Sequence, residues 1–528
     1  MRALWALGLG LLATLARADR VLLIPLDSRP ATGQFAQMIG RMADVEVVLP
    51  PSDTLGRFTT PGLPDDILDW LAKQDLSDVT AVVASSDMVA YGGLISSRAG
   101  GVSRGSASGR LKRLSNIVHR SATTRLYVFS ATMRLAPTAT RQAADWRLKL
   151  AKYVEFRDRY HRSGDPGLLP SLKRLSAAIP KGELKKYQDV RARDHRVQLD
   201  LIEMAADGRI DTLVVGQDDA NPYGPHVPET ARMRSIVEKR ELGNRVRFCE
   251  GIDQHANVLL SRALLAQARW IPSVRTIYAD SAAAERVAAF ESQPIYESLR
   301  GQIEASGARM AFPGENADYT LYVNTPGSTD AELGNLVRGL ESEPGPTALA
   351  DINHGPVGGS DPRLVDALER DARTMDLVSY AGWNTAGNTL GTTIPAANVY
   401  LVARLLDVNP VGREVARREF LLHRFVNDYG YHRFTRPQAY ELLDILPDAT
   451  REETYGTSLA QVNAFVQRDL GRRLGETFRT QLFGRRFEAG GAEYVFTGLN
   501  GVHISLPWPR AYEVRMEFRL ETQPAAAR

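Results

Sequence analysis

Apolar runs of four to seven residues recur along the chain, each closed by polar or acidic residues and followed by helical spacing. The stretch "RVLLIPLDSRP" opens the series, and Gly33 to Met42 follows it as a predicted helix. The series continues through "VEVVLPPSD", "VTAVVASSDMVAYGGLISSR", "RLYVFSATMRLAPT", "DTLVVGQDD", "RVRFCEGIDQHAN", "VRTIYADS", "YTLYVNTPGS", "TALADINHGP" and "LVSYAGWNTAGNTLG". Continuous apolar strands alternating with helices predict an α/β fold with a parallel sheet covered on both faces. A (β/α)8-barrel-like core with extra strands is the expected arrangement, because about eight such strands close a barrel. Two doubly wound lobes with a cleft between them are the alternative. In both, the C-terminal ends of the strands share the face where ligands bind.

Two regions break this rhythm. Residues 138–206 are long, charged and helical in spacing, a predicted insertion within an α/β core spanning 19–405. Residues 406–528 are mostly helical and end in "GVHISLPWPRAYEVRMEFRLE", whose alternation predicts a final strand or hairpin. The opening "MRALWALGLGLLATLARA", residues 1–18, places a basic Arg2 before an apolar stretch and small residues at its end. That order is expected of a secretory signal, with a secreted or periplasmic mature chain beginning near Asp19. The apolar run is too short to span a bilayer, and no later run is longer, so no integral membrane segment is expected after its removal.

Composition narrows the classes further. Apolar residues form 44% and charged residues 24% of the 528, which is globular usage. A net charge of +3 on this length gives no reason to expect nucleic acid. Cys249 is the single cysteine, so no internal disulfide is expected, and its apolar neighbours predict a buried residue and not a nucleophile.

The chemistry collects at the predicted strand ends. Asp27, Asp87, Asp218, Asp219, Asp253, Asp280 and Asp351 each follow an apolar run. Asp280, before "SAAAERVAAF", reads as a helix cap. The adjacent pair Asp218 and Asp219 is the sharpest signal, because two like charges at a strand end need a compensating group. Gln217 precedes them, and Arg29, Tyr91 and Arg134 stand at other strand ends. In "SYAGWNTAGNTLGTT", small residues separate Trp383, Asn384 and Asn388, which would bring a ring and two amides to a sugar. A tight loop closing onto a helix fits the same string. HExxH, GxSxG and Walker patterns do not occur, and neither a metal nor a cofactor is expected.

The strings "IPLDSRP", "LPPSDTLGRFTTPG", "SSDMVAYGGLISSR", "VVGQDDANPYG", "GIDQHANVLLSRAL", "YAGWNTAGNTLGT" and "LPWPR" occur together. From Val21 to about Arg510 the chain resembles a bacterial family catalogued only as a domain of unknown function. That resemblance implies a shared architecture and names no substrate.

The residues themselves predict a secreted hydrolase acting on a carbohydrate or other small molecule, most simply a glycoside hydrolase. Asp218 and Asp219 are its expected catalytic pair, with Asp219 the acid and Asp218 orienting a substrate acetamido group, as on N-acetylhexosaminides. Asp27, Arg29, Asp87, Tyr91, Arg134, Gln217, Asp253, Trp383, Asn384 and Asn388 are the expected substrate contacts. Two other classes compete. One is a metal-dependent hydrolase of amide or phosphate esters with Asp27, Asp87, Asp218 and His255 as ligands. The other is a non-enzymatic solute-binding protein of the envelope.

Overall fold

The computed structural model describes residues 20–355, 358–370 and 374–525. The predicted signal, residues 1–18, lies outside them. The described strands are β1 (Arg20–Ile24), β2 (Glu46–Val48), β3 (Val79–Ser85), β4 (Arg125–Thr132), β5 (Thr212–Gln217) and β6 (Val246–Glu250), then β7 (Ser273–Tyr278), β8 (Arg309–Met310), β9 (Tyr319–Asn324), β10 (Thr347–Asp351) and β11 (Ser379–Ala381). Last come β12 (Arg486–Ala489), β13 (Ala492–Ser505) and β14 (Arg515–Pro524).

No closed barrel is found among the described residues. The parallel strands divide into two open sheets, ordered β2-β1-β3-β4-β5-β6 and β8-β7-β9-β10-β11. Both sheets follow one rule. The second strand lies outside the first and the third lies on the other side, so each sheet has a reversal point beside its first strand. Barrel closure needs one continuous ladder, and here β6 and β7 share none. The apolar runs carried no information about which strands would pair, and the strands form two open parallel sheets in place of a barrel.

Two helices fill the space between the sheets. Residues 255–268 pack over β3 and β4, residues 386–405 pack over β10 and β11, and the two helices pack on each other. Both are buried on almost every side, which explains why their sequences lack a polar stripe. Gly387 and Gly391 permit the approach. A Cβ at Gly387 would stand 2.8 Å from the Glu250 carbonyl oxygen, and one at Gly391 would collide with Gln254. Asn398 ties the layer together: it accepts from the Tyr319 hydroxyl at 3.1 Å and donates to Ser261 Oγ at 3.1 Å.

The stretch between β4 and β5 forms helices at 147–163, 169–177 and 183–206. After β11 come helices at 386–405, 410–424, 436–445 and 456–481, with a wide-turned π-helical segment at 425–435. The chain then forms an antiparallel three-stranded sheet, β12-β13-β14, against the helix at 456–481.

Two carboxyls are buried where the lobes join. Glu250 ends β6 and accepts from Ser292 Oγ at 2.5 Å. Glu291 accepts from Ser298 Oγ at 2.7 Å and from the Gly387 amide. Burial, with the neighbouring Glu291, pushes Glu250 up to about 8, and burial pushes Glu291 up to about 7. The folded state therefore holds protons that the unfolded chain releases near its ordinary value of 4.5. Stability from this pair is fully present below that value and is lost as pH rises through about 7 to 8. Glu291→Gln keeps an acceptor for Gly387 and removes the charge. It is expected to raise the unfolding free energy at pH 8.5 by on the order of 1 kcal/mol and to change it little at pH 4. Urea melts at the two pH values check this; an equal effect at both contradicts it.

Candidate functional site

The C-terminal ends of the first sheet open into a cleft of about 370 Å³. That is small-molecule size. Arg29 follows β1, Arg98 follows β3, Arg134 follows β4, Asp218 and Asp219 follow β5, and Asp253 follows β6. Arg147 comes from the helical insertion, and Asn384 and Asn388 from the start of helix 386–405. Tyr440, Arg451, Trp508, Arg510 and Tyr512 form a wall from the C-terminal region.

Every acid at the floor meets an arginine. Arg29 is a double fork: it donates to Asp27 (Nε–Oδ1 2.9 Å, Nη2–Oδ2 2.7 Å) and to Asp253 (Nη1–Oδ2 3.0 Å, Nη2–Oδ1 2.7 Å). Thr32 Oγ1 donates to the Asp27 carbonyl at 2.7 Å. The Arg29 guanidinium also lies 5.0 Å from the Trp508 ring centroid, with Arg510 at 4.7 Å from the same ring. Trp508 in turn donates to Ser28 Oγ at 2.9 Å. Arg98 pairs with Asp218, and Arg134 pairs with Asp219.

The adjacent carboxyls differ in acidity. Burial pushes Asp218 upward, but Arg98 and Arg134 outweigh it and hold the group below the ordinary carboxylate range. Burial pushes Asp219 upward too, Arg134 opposes this, and the Asp218 charge leaves the group raised. The backbone amide of Asp219 donates to Asp218 Oδ1 at 2.9 Å, which further favours charge on Asp218. Asp253 is raised by burial against the pull of Arg29.

The structure brings Arg29, Arg134, Asp218, Asp219, Asp253, Asn384 and Asn388 to one cleft. Asp27 lies just beneath, behind Arg29. Four further expected contacts do not line it either. Asp87 is turned inward, accepting from the Ala131 amide at 2.9 Å, and burial pushes it up to about 6. Tyr91 is buried under the Arg193 guanidinium, 4.3 Å from its ring centroid. Gln217 donates to the Asp218 carbonyl at 2.6 Å and borders a separate cavity beside helix 226–239. Trp383 is no sugar platform: it meets Phe35 edge-on at 5.6 Å and donates to Thr392 Oγ1 at 3.2 Å. Asp280 and Asp351 belong to the second sheet. Asp280 accepts from the Ala282 amide, and Asp351 from those of Asn353 and Asp361.

The amides at the cleft are pre-set. Asn384 (φ 59°) accepts from the Tyr512 hydroxyl at 2.7 Å and donates to Asn388 Oδ1 at 2.6 Å. Asn388 passes the chain on to Gln254 Oε1 at 2.7 Å. Among the described residues no three His, Cys, Asp or Glu side chains stand together as a metal site. His255 is fully buried against Phe129, away from the cleft lining.

Sequence reasoning noted Arg98 at a strand end without a role, and missed Arg147, Arg451 and the wall residues Trp508, Arg510 and Tyr512. The string "LPWPR" carried two of them and was visible as a motif without a role.

A family model described as Protein of unknown function (DUF4127) matches residues 21–517. No curated protein and no solved structure matches the chain.

The Arg29 bridge yields a direct test. Arg29→Met leaves Asp27 and Asp253 buried without a counter-charge, an expected loss of about 3–5 kcal/mol. Arg29→Lys recovers only part, because an ammonium cannot fork to two carboxylates. Urea unfolding of both variants measures this; a Met variant within about 1 kcal/mol of wild type would show the bridge is not structural.

Proposed function

The chain belongs to the DUF4127 family, and we propose that its cleft hydrolyses a glycosidic bond, with Asp219 as proton donor and Asp218 as its ionised partner. The observation that carries this reading is the opposite displacement of two neighbouring carboxyls that share one cleft. Groups pushed apart in this way are suited to separate acid and charge-stabilising roles.

Adjacent residues cannot straddle a sugar as two distant carboxyls do. They suit substrate-assisted cleavage of an N-acetylhexosaminide. The substrate's acetamido oxygen attacks the anomeric carbon, and Asp218 orients and stabilises the acetamido group as it gains charge. Asp219 gives its proton to the leaving oxygen as the glycosidic bond breaks. Water then opens the bicyclic intermediate and returns a proton to Asp219. Asn384 and Asn388 supply amides for hydroxyls, and the half-exposed Tyr512 supplies the aromatic wall that Trp383 does not. The leader-like residues 1–18 support action outside the cytoplasm.

The pairing of each floor carboxylate with arginine favours a second reading, an envelope solute-binding protein whose two lobes hold a ligand without turnover. A panel of chromogenic glycosides, N-acetylhexosaminides included, separates the two. Hydrolysis is expected from the mature protein, with kcat falling at least about 100-fold in Asp219→Asn and in Asp218→Asn. The pH profile should fall on the alkaline side as the raised Asp219 loses its proton. It should fall on the acid side only as the depressed Asp218 gains one. Ligand binding with no turnover anywhere in the panel would replace the hydrolase by the binding protein.

A further inference from the structure

The three guanidiniums around the Asp218–Asp219 pair leave the cleft with more donors than it can satisfy. Arg98 is spent on Asp218 through one terminal nitrogen, and its Nε is buried without a partner. Arg134 repeats the pattern with Asp219. Two of the neighbouring carboxylates are already used. Asp218 Oδ1 takes the Asp219 amide at 2.9 Å, and both Asp253 oxygens take Arg29. A guanidinium presents a fork of donors and no acceptor, so any further partner must bring oxygen atoms.

Arg147 sharpens the imbalance. It is the first residue of helix 147–163, half-buried on the cleft wall contributed by the insertion. Among the described residues its side chain makes neither a hydrogen bond nor an ion pair. Burial and the neighbouring Arg134 both work against its charge, while Glu452 and Asp219 favour it only through space. A partly desolvated cation facing a second cation is stabilised by an anion placed between them.

We propose that the cleft's occupant is an acidic saccharide, carrying a carboxylate, sulfate or phosphate oxyanion, and that Arg147 selects it. The inference rests on the saccharide reading above and adds the charge of the ligand. Arg147 supplies the free fork. Arg98 and Arg134 supply further donors while they keep hold of the aspartates. If Asp219 carries its proton, as that reading requires, the balance near the ligand moves further toward positive charge. Neutral sugars leave the Arg147 fork unfilled and gain nothing from it.

Ligand-observed NMR titrations of the mature protein with glucose, glucuronic acid, glucose 6-sulfate and glucose 6-phosphate test this directly. One charge-assisted contact corresponds to roughly 10- to 100-fold in affinity, so at least one acidic probe is expected to bind about tenfold or more tightly than glucose. The probe that wins identifies the oxyanion. Arg147→Ala should erase the preference and Arg147→Lys should keep part of it, with circular dichroism matching wild type in both. Acidic probes that bind no better than glucose, or not at all, overturn the inference, as does a preference that survives Arg147→Ala. Turnover is scored separately. An acidic preference without hydrolysis removes only the enzymatic reading, and hydrolysis of neutral glycosides without that preference removes only this one.

Discussion

The site depends on one shared guanidinium. Arg29 holds Asp27 and Asp253 together, and these two acids follow β1 and β6, strands with three others between them in the sheet. The helix at 255–268 packs over β3 and β4, and Asp253 stands two residues before its start. Asp27, Asp253 and Arg29 are all buried or nearly so. Burying such charges is unfavourable unless the geometry is good and the remaining donors are used, and a forked guanidinium between two carboxylates meets that condition. Trp508 then packs on Arg29 and bonds to Ser28, which fixes the C-terminal wall to the floor.

The same compensation recurs along the sheet. Asp218 and Asp219 are neighbours in the chain, and their repulsion is relieved by arginines from two other strand ends. The relief is unequal. Asp218 receives both Arg98 and Arg134 at close range together with a backbone amide, while Asp219 has mainly Arg134. Unequal surroundings split the acidity of two chemically identical groups, and that split is the basis of the proposed division of labour. The amide relay from Tyr512 through Asn384 and Asn388 to Gln254 joins this floor to the second lobe, so both lobes and the C-terminal region contribute to one cleft.

Some motifs were legible as chemistry and others only as packing. "PLDSRP" announced its own pairing, since Asp27 and Arg29 are two residues apart and face each other. "SSDMVAYGGLISSR" misled at its start and informed at its end. Asp87 sits in a short helix capped by Ser85 and points back to Ala131, whereas Arg98 reaches the cleft. "YAGWNTAGNTLG" divides in the same way. Asn384 and Asn388, four apart at a helix start, share the cleft face, and Trp383 turns into Phe35. Its glycines are explained by close packing, Gly382 onto Ser360, Gly387 onto Glu250 and Gly391 onto Gln254, and need no ligand.

Local pattern alone determined that the chain is built of buried parallel strands alternating with helices, that an insertion of helices separates β4 from β5, and that acids stand at strand ends. These follow from hydrophobic period and neighbouring residues, which the order of amino acids states directly. Only the tertiary structure decided that the strands form two open sheets and not one barrel, that five of the seven acids attend the first sheet, and that arginines remote in sequence pair with Asp218, Asp219 and Asp253. Strand order and long-range charge pairing arise from which surfaces bury each other, and that choice belongs to the packed chain as a whole, with no trace in any short stretch.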